Sequence, residues 1–379
     1  TCEHMSINFK PEQEKSGKVS DKSPFSGIGK SFRSKIDTVK EYELVEDNEE
    51  IKNDFLYGMP FGLNYNDYVN AQNLKNNLME KYRNMELSQA IDGHEYDSGY
   101  GTVFTINQNI DSDLKKFSRE KAKEKILSEL RLIYGIGDTK KKYLKSRGYK
   151  TIEDLVYHPY FSKEAKDCLS LIESMNSKNI MDRISYWLSQ SDELMYCCSG
   201  FHEKEDFLFF DIETLGLFNR PIILIGVAKF NGENLLINQY FLKDLTQEPA
   251  ALNEFSSFIG PNTVLVSYNG KSFDVPYIRE RLSYYGMQSH IEKPHFDMLH
   301  FSRRAWRNKY PNCRLVTLEK YLFGIERNDD VPSALVPEFY ETYLRTGNIG
   351  PVIPIIEHNR QDLITLTMIF SKLYEEWGQ

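Results

Sequence analysis

The sequence predicts an α/β fold for its C-terminal half, a mixed sheet flanked by helices, preceded by a small helical domain. Three observations predict it. Three apolar runs, Phe207–Asp211, Pro221–Phe230 and Leu235–Leu242, follow one another with only short breaks, as adjacent antiparallel strands do. Beyond them strand-like and helix-like stretches alternate, the pattern of strands with helices packed on the sheet. Upstream, from Phe117 to Met181, the pattern turns helical and basic.

In chain order, residues 1–40 are rich in Ser, Lys and Gly and are read as a mobile, mildly basic arm. Thr1–His4 precede Met5 and are set aside as a cloning remnant. Residues 41–116 receive no chemistry; Asn70–Leu87 is expected as a helix and Gly101–Ile106 as a strand. The helical segment spans 117–181, a polar linker 182–200, and the α/β domain 201–379. Within that domain a helix is expected over Ala250–Ile259, a fourth strand over Thr263–Asn269, a helix over Pro276–Gly286 and a short fifth strand at His295–Leu299. Helical segments follow near Ser302–Arg307, Leu315–Leu322 and Pro337–Arg345, and a long last helix runs from about Pro354 to Glu376.

Composition narrows the class. A chain of 379 residues with 40% hydrophobic and 13% aromatic residues can bury a substantial core. No long apolar run suggests a membrane span, and no basic-then-apolar leader suggests secretion. Five cysteines without a C-x-x-C pair argue against a disulfide framework and a zinc site, so a reducing, cytoplasmic setting is expected. The net charge of −8 speaks mildly against a nucleic-acid binder, unless the carboxylates serve a metal site and basic residues cluster locally.

Three acidic positions matter. The strand at Phe207–Asp211 runs into Ile212, Glu213 and Thr214, and a strand's period of two turns Asp211 and Glu213 to one face. Such a pair persists at low cost with a hard cation between the carboxylates, Mg2+ or Mn2+; alone, it also reads as a solvated strand end. After the fourth strand come Asn269, Gly270, Lys271 and Asp274. Asn269 can hydrogen-bond a nucleotide and Lys271 can reach a phosphate, while Asp274 can hold a metal or simply cap the next helix. In the last helix His358 and Asp362 stand one turn apart on one face, as a metal-held acid beside a general base or as a surface pair.

The acids appear in the order D-x-E, N-x-x-x-F-D, H-x-x-x-D, and here the sequence resembles the DEDD, or DnaQ-like, exonuclease superfamily, in particular its YprB-like group. The resemblance extends over Pro294–Arg307, Leu315–Ser333, Phe339–Asn348 and Glu357–Leu366, and covers roughly the last 180 residues. It implies a ribonuclease H-like fold and a 3′→5′ exonuclease that uses two Mg2+ or Mn2+ ions. Asp211 would bridge both ions, Glu213 and Asp362 would complete the site of the ion that binds the attacking water, Asp274 would serve the second ion, and His358 would be the general base. Thr214 and Leu215 match the positions that contact the terminal nucleotide. The sequence departs from the histidine branch, whose base precedes the last Asp by five positions; here the spacing is four, as in the tyrosine branch, which puts the rate and the water geometry in question.

Leu130–Pro159 resembles a helix-hairpin-helix. Gly135 and Gly137 would let the turn present backbone N–H groups to a phosphate, with Lys140 and Lys141 adding charge. An ordinary helical hairpin for protein contacts is the competing reading. The expected partner is nucleic acid, DNA in preference to RNA, held without sequence preference. Asp297 is read as a hydrogen-bond acceptor or a structural residue, not a metal ligand, and Arg303, Arg304, Arg307 and Lys309 as either a substrate path or a solvated face. A structure-specific endonuclease and an inactive nucleic-acid-binding scaffold are the rival functions.

Overall fold

The computed structural model describes residues 64–217, 219–327 and 331–378. The basic arm expected at 1–40 lies outside them. Helix α1 spans Tyr65–Lys81, several residues earlier than expected, because the Asn64 side chain caps it by accepting from the Asp67 N–H at 2.8 Å. A hairpin follows, β1 (His94–Asp97) and β2 (Thr102–Asp111). Then come helices α2 (Arg119–Leu127), α3 (Asp138–Ser146), α4 (Ser162–Glu173) and α5 (Ser177–Trp187). The C-terminal half supplies β3 (Phe207–Thr214), β4 (Ile222–Asn231), β5 (Asn234–Phe241), α6 (Glu248–Ser257), β6 (Val264–Ser267), α7 (Asp274–Tyr284), β7 (His295–Asp297), α8 (Met298–Trp306), α9 (Val336–Thr346) and α10 (Ile353–Trp377).

The seven strands form one sheet in the order β1-β2-β5-β4-β3-β6-β7. β3, β4 and β5 are antiparallel, whereas β6 joins β3 and β7 joins β6 in parallel. The mixed sheet expected from the sequence is therefore present, and larger than expected. Residues 94–111 supply two of its strands; sequence reasoning expected one of them at Gly101–Ile106 but gave it no place in this sheet, where β2 pairs with β5 from Phe104 opposite Phe241 to Asp111 opposite Asn234.

The two faces bury different partners. Phe207, Phe209, Phe230, Ile237 and Val266 pack against α10 and α8 and against the upstream helices. Leu208, Phe210, Ile212, Val227 and Leu265 pack against α6 and α7. The stretch 182–200 is not a linker. Leu194 to Gly200 is buried, and Tyr196 donates its hydroxyl to Phe370 O on α10 at 2.5 Å among the rings of Phe117, Phe296 and Phe301. Sequence reasoning missed this because seven buried residues in a row have neither helical nor strand period. Among the described residues no helix is long and apolar enough to cross a membrane.

Candidate active site

β3 carries Phe207, Phe209, Asp211 and Glu213 on one side, so the acids continue the line of the buried phenylalanines. Asp211 lies opposite Gly226 of β4, and the register shifts between Glu213 and Thr214 as the strand ends. α10 crosses the same face and brings His358, Asn359 and Asp362 over the strand. Asp274, almost fully buried, is the first residue of α7. A Cβ on Gly270 would stand 3.3 Å from its carboxylate, and no side-chain cap bond holds this helix start.

These acids share one electrostatic neighbourhood. Burial pushes the Asp211 carboxyl well above its ordinary range, and the charges of Asp362, Asp274 and Glu213 push it further; His358 acts in the opposite direction. Asp362 moves the other way. Burial would raise its carboxyl, but His358 and Arg327 outweigh it and hold the group low. His358 Nε2 lies 3.4 Å from Asp362 Oδ2.

The turn after β6 is built around Asp297. This fully buried carboxylate accepts the N–H groups of Asn269 at 2.8 Å, Lys271 at 3.1 Å and Leu299 at 3.2 Å. Asn269 is held at φ 67° there, a left-handed conformation that Asn tolerates better than most residues. Asp297 is thus the hydrogen-bond acceptor expected from the sequence. Asn269 itself is buried, and Lys271 is half-buried with its ammonium pKa lowered, burial outweighing the pull of Asp297 and Asp182. Thr214 donates to Gly216 O at 2.9 Å, and Leu215 packs into the cluster formed with α9.

Residues 208–374 match the family model described as the RNase_H superfamily. This part of the chain has a ribonuclease H-like fold. The chain is 32% identical over 174 residues to the "Uncharacterized protein YprB" of Bacillus subtilis (strain 168), a match that covers 45% of this chain and 42% of that one. A 219-residue match at 25% identity to the "DNA polymerase III PolC-type" of Ureaplasma parvum serovar 3 covers 50% of this chain and 14% of that protein. The chain therefore spans less than half the length of either curated relative. The zinc-bound crystal structure of the E. coli ExoI–ssDNA complex is 19% identical, covers 42% of this chain and 45% of its own, and has a TM-score of 0.26.

Oxygen donors of this kind fit hard divalent cations. Yet among the described residues no three His, Cys, Asp or Glu side chains are gathered so that they could hold an ion. Two contacts engage the acids instead. Asn359, fully buried, donates its amide to Asp211 Oδ2 at 2.8 Å and to Asp211 O at 3.2 Å, while Gln239 donates to Asn359 Oδ1 at 2.8 Å. Arg327 binds Asp362 from the other side. Neither residue stood out in the sequence; Asn359 could have been found from its place one residue after His358, facing a strand that carries Gly226.

In the helical region upstream of the ribonuclease H-like fold, Gly135 adopts φ 80° and Gly137 precedes α3 with no side-chain cap. Lys141 is turned inward, whereas Lys140 stays exposed while bonding back to the turn. Lys140 Nζ donates to Gly135 O at 2.7 Å, and Lys141 forms an ion pair with Glu129 at 2.6 Å. The exposed cations of this stretch are Lys140, Lys142, Lys145, Arg147 and Lys150. Of the second basic run, Arg304 pairs with Asp192 and Lys309 with Glu376, each at 3.0 Å, so half of it serves helix packing.

Proposed function

We propose that this protein is a metal-dependent 3′→5′ exonuclease that hydrolyses phosphodiester bonds of nucleic acid, DNA in preference to RNA. The observation that carries the reading is the shared field at the tip of β3, where Asp362, Asp274 and Glu213 all raise the Asp211 carboxyl inside a ribonuclease H-like fold. Four carboxylates that repel one another are costly to keep at a buried strand end unless cations offset them. Asp211, Glu213, Asp274 and Asp362 would hold two Mg2+ or Mn2+ ions, which when bound supply an activated water and charge neutralisation at the phosphate.

The chain's own residues do the rest. Asn359 fixes one Asp211 oxygen and leaves the other to face the site. His358, one turn before Asp362, takes the proton of the attacking water. Thr214, Leu215, Asn269 and Lys271 border the acids and would seat the terminal nucleotide, the first two from the strand end and the others from the turn pinned by Asp297.

A digestion panel tests this reading. With Mg2+ or Mn2+, a 5′-labelled single strand should shorten from its 3′ end, and EDTA or a blocked 3′ terminus should stop the reaction. Internal cuts in the 3′-blocked strand would favour the structure-specific endonuclease, and no cleavage of single strand, duplex or RNA would favour an inactive scaffold.

The upstream helical segment would grip the substrate backbone with the N–H groups at the start of α3 and with exposed cations. Lys142→Gln/Lys145→Gln is expected to weaken DNA binding alike for all sequences and to reduce the slope of log affinity against log salt by about 2. An unchanged slope in a fluorescence-anisotropy salt series would remove these lysines from the interface.

A further inference from the structure

The group that binds Asp362 in this structure is a cation the chain supplies itself. Arg327 is almost completely buried. Its Nε donates to Glu319 Oε2 at 2.6 Å and its Nη2 to Glu319 Oε1 at 2.7 Å, while Nη2 also reaches Asp362 Oδ1. Nη1 stands 3.1 Å from His358 Nδ1. Glu319 is fully buried, sits in a π-helical turn, Glu319–Phe323, and is further held by Thr365 and Gln361 of α10. The guanidinium is thus anchored on one side by an acid outside the site, and it presents its other edge to two residues of the site.

The chemistry of that edge is restrictive. A guanidinium can only donate, so His358 Nδ1 must accept, and the ring proton then belongs on Nε2, which faces Asp362 Oδ2. In this arrangement the imidazole has no lone pair left for a water proton. Both Asp362 oxygens are engaged as well, one by Arg327 and one by His358.

We propose that Arg327 is the resident counter-ion of this site, a positioning residue that holds Asp362 and His358 while the site lacks divalent ions and that such ions must displace from Asp362. The proposal rests on the nuclease reading above for what the site binds. Displacement returns one carboxylate oxygen to the metal ligand set and the Nδ1 acceptor to His358. Glu319 keeps the guanidinium nearby as it swings away, so the charge stays within the site instead of leaving for solvent.

A competitor and a structural prop predict opposite signs. Mn2+ binding, read by EPR of the free ion, should tighten at least about tenfold in Arg327→Gln, since removing a cation that occupies a ligand raises affinity for the ion that needs that ligand. Removing Arg327 alone strands the buried Glu319 charge and can cost the fold, so Glu319→Gln/Arg327→Gln is measured beside it, because a neutral pair of similar volume is tolerated where a lone charge is not. A wild-type measurement stands apart from both: in 15N-arginine-labelled protein, Mg2+ should shift the Arg327 guanidinium resonances. Folded variants that bind Mn2+ no more tightly than wild type, or Arg327 signals that ignore saturating Mg2+, overturn the proposal while leaving the nuclease reading intact. A wild-type chain that binds neither ion at millimolar concentration sinks both.

Discussion

Asp211→Asn is expected to lose metal-dependent cleavage by at least about a thousandfold while the ion-free protein becomes more stable. The two effects have one cause. The carboxylate faces three other acids from a partly covered strand end, and its ionisation is opposed by burial first and by Asp362, Asp274 and Glu213 next. A carboxyl whose folded pKa lies above its unfolded value contributes stability below the unfolded pKa and loses it as pH rises through the folded one. The neutral amide escapes this loss, so at pH 7 in EDTA the variant should melt above wild type. As pH falls below the ordinary Asp range the two should converge, since both side chains are then uncharged. The amide oxygen can still accept from Asn359, so the backbone arrangement survives the change. Digestion of a labelled strand and paired melting curves in EDTA check both halves. Equal melting at pH 7 would mean that the four acids do not act on one another.

Gly226→Ala should be the most damaging single methyl in the sheet. Gly226 lies opposite both Asp211 and Gln239, at the point where α10 presses Asn359 into the strands. A Cβ there would come within 2.9 Å of the Asn359 Cγ and Nδ2 and closer still to its Oδ1. Asn359 is fully buried and cannot swing to water. It must therefore break its bonds to Gln239 and Asp211, or the helix must lift. Overpacking of this kind costs about 1–3 kcal/mol, and each buried polar group left unpaired adds about as much. Chemical denaturation should show the full loss, and whatever folded protein remains should bind Mn2+ poorly because Asp211 is no longer oriented. A Gly226→Ala protein that unfolds at the wild-type midpoint would mean the helix and sheet have slack at this contact.

The C-terminal strands were legible because apolar runs carry a strong local signal: Phe207–Asp211 became β3 over Phe207–Thr214, and Pro221–Phe230 became β4 over Ile222–Asn231. The pairing of β2 with β5 was not. β1 is exposed along its whole length and carries no apolar alternation, and β2's other partner lies far along the chain. At the site, the acids could be read from spacing on a strand and a helix, since periodicity alone puts Asp211 beside Glu213 and His358 beside Asp362. Arg327 could not, for its position depends on the path of a π-helical turn and on Glu319, a residue whose sequence neighbours give no sign that it is buried. The inward turn of Lys141 was hidden for a like reason, because Glu129 reaches it only across the bend between α2 and α3.

The hairpin β1–β2 has a consequence for how this fold can be dissected. The stretch recognisable by likeness, 208–374, starts well downstream of two strands that the sheet uses. Cut there, β5 would keep one neighbour and lose the other along its whole length, leaving a row of open amides and carbonyls beside apolar side chains. Asp211, Glu213, Asp274 and Asp362 would all remain in such a fragment, yet it would tend to find its missing edge in another molecule. In this protein the recognisable domain is thus narrower than the unit that folds.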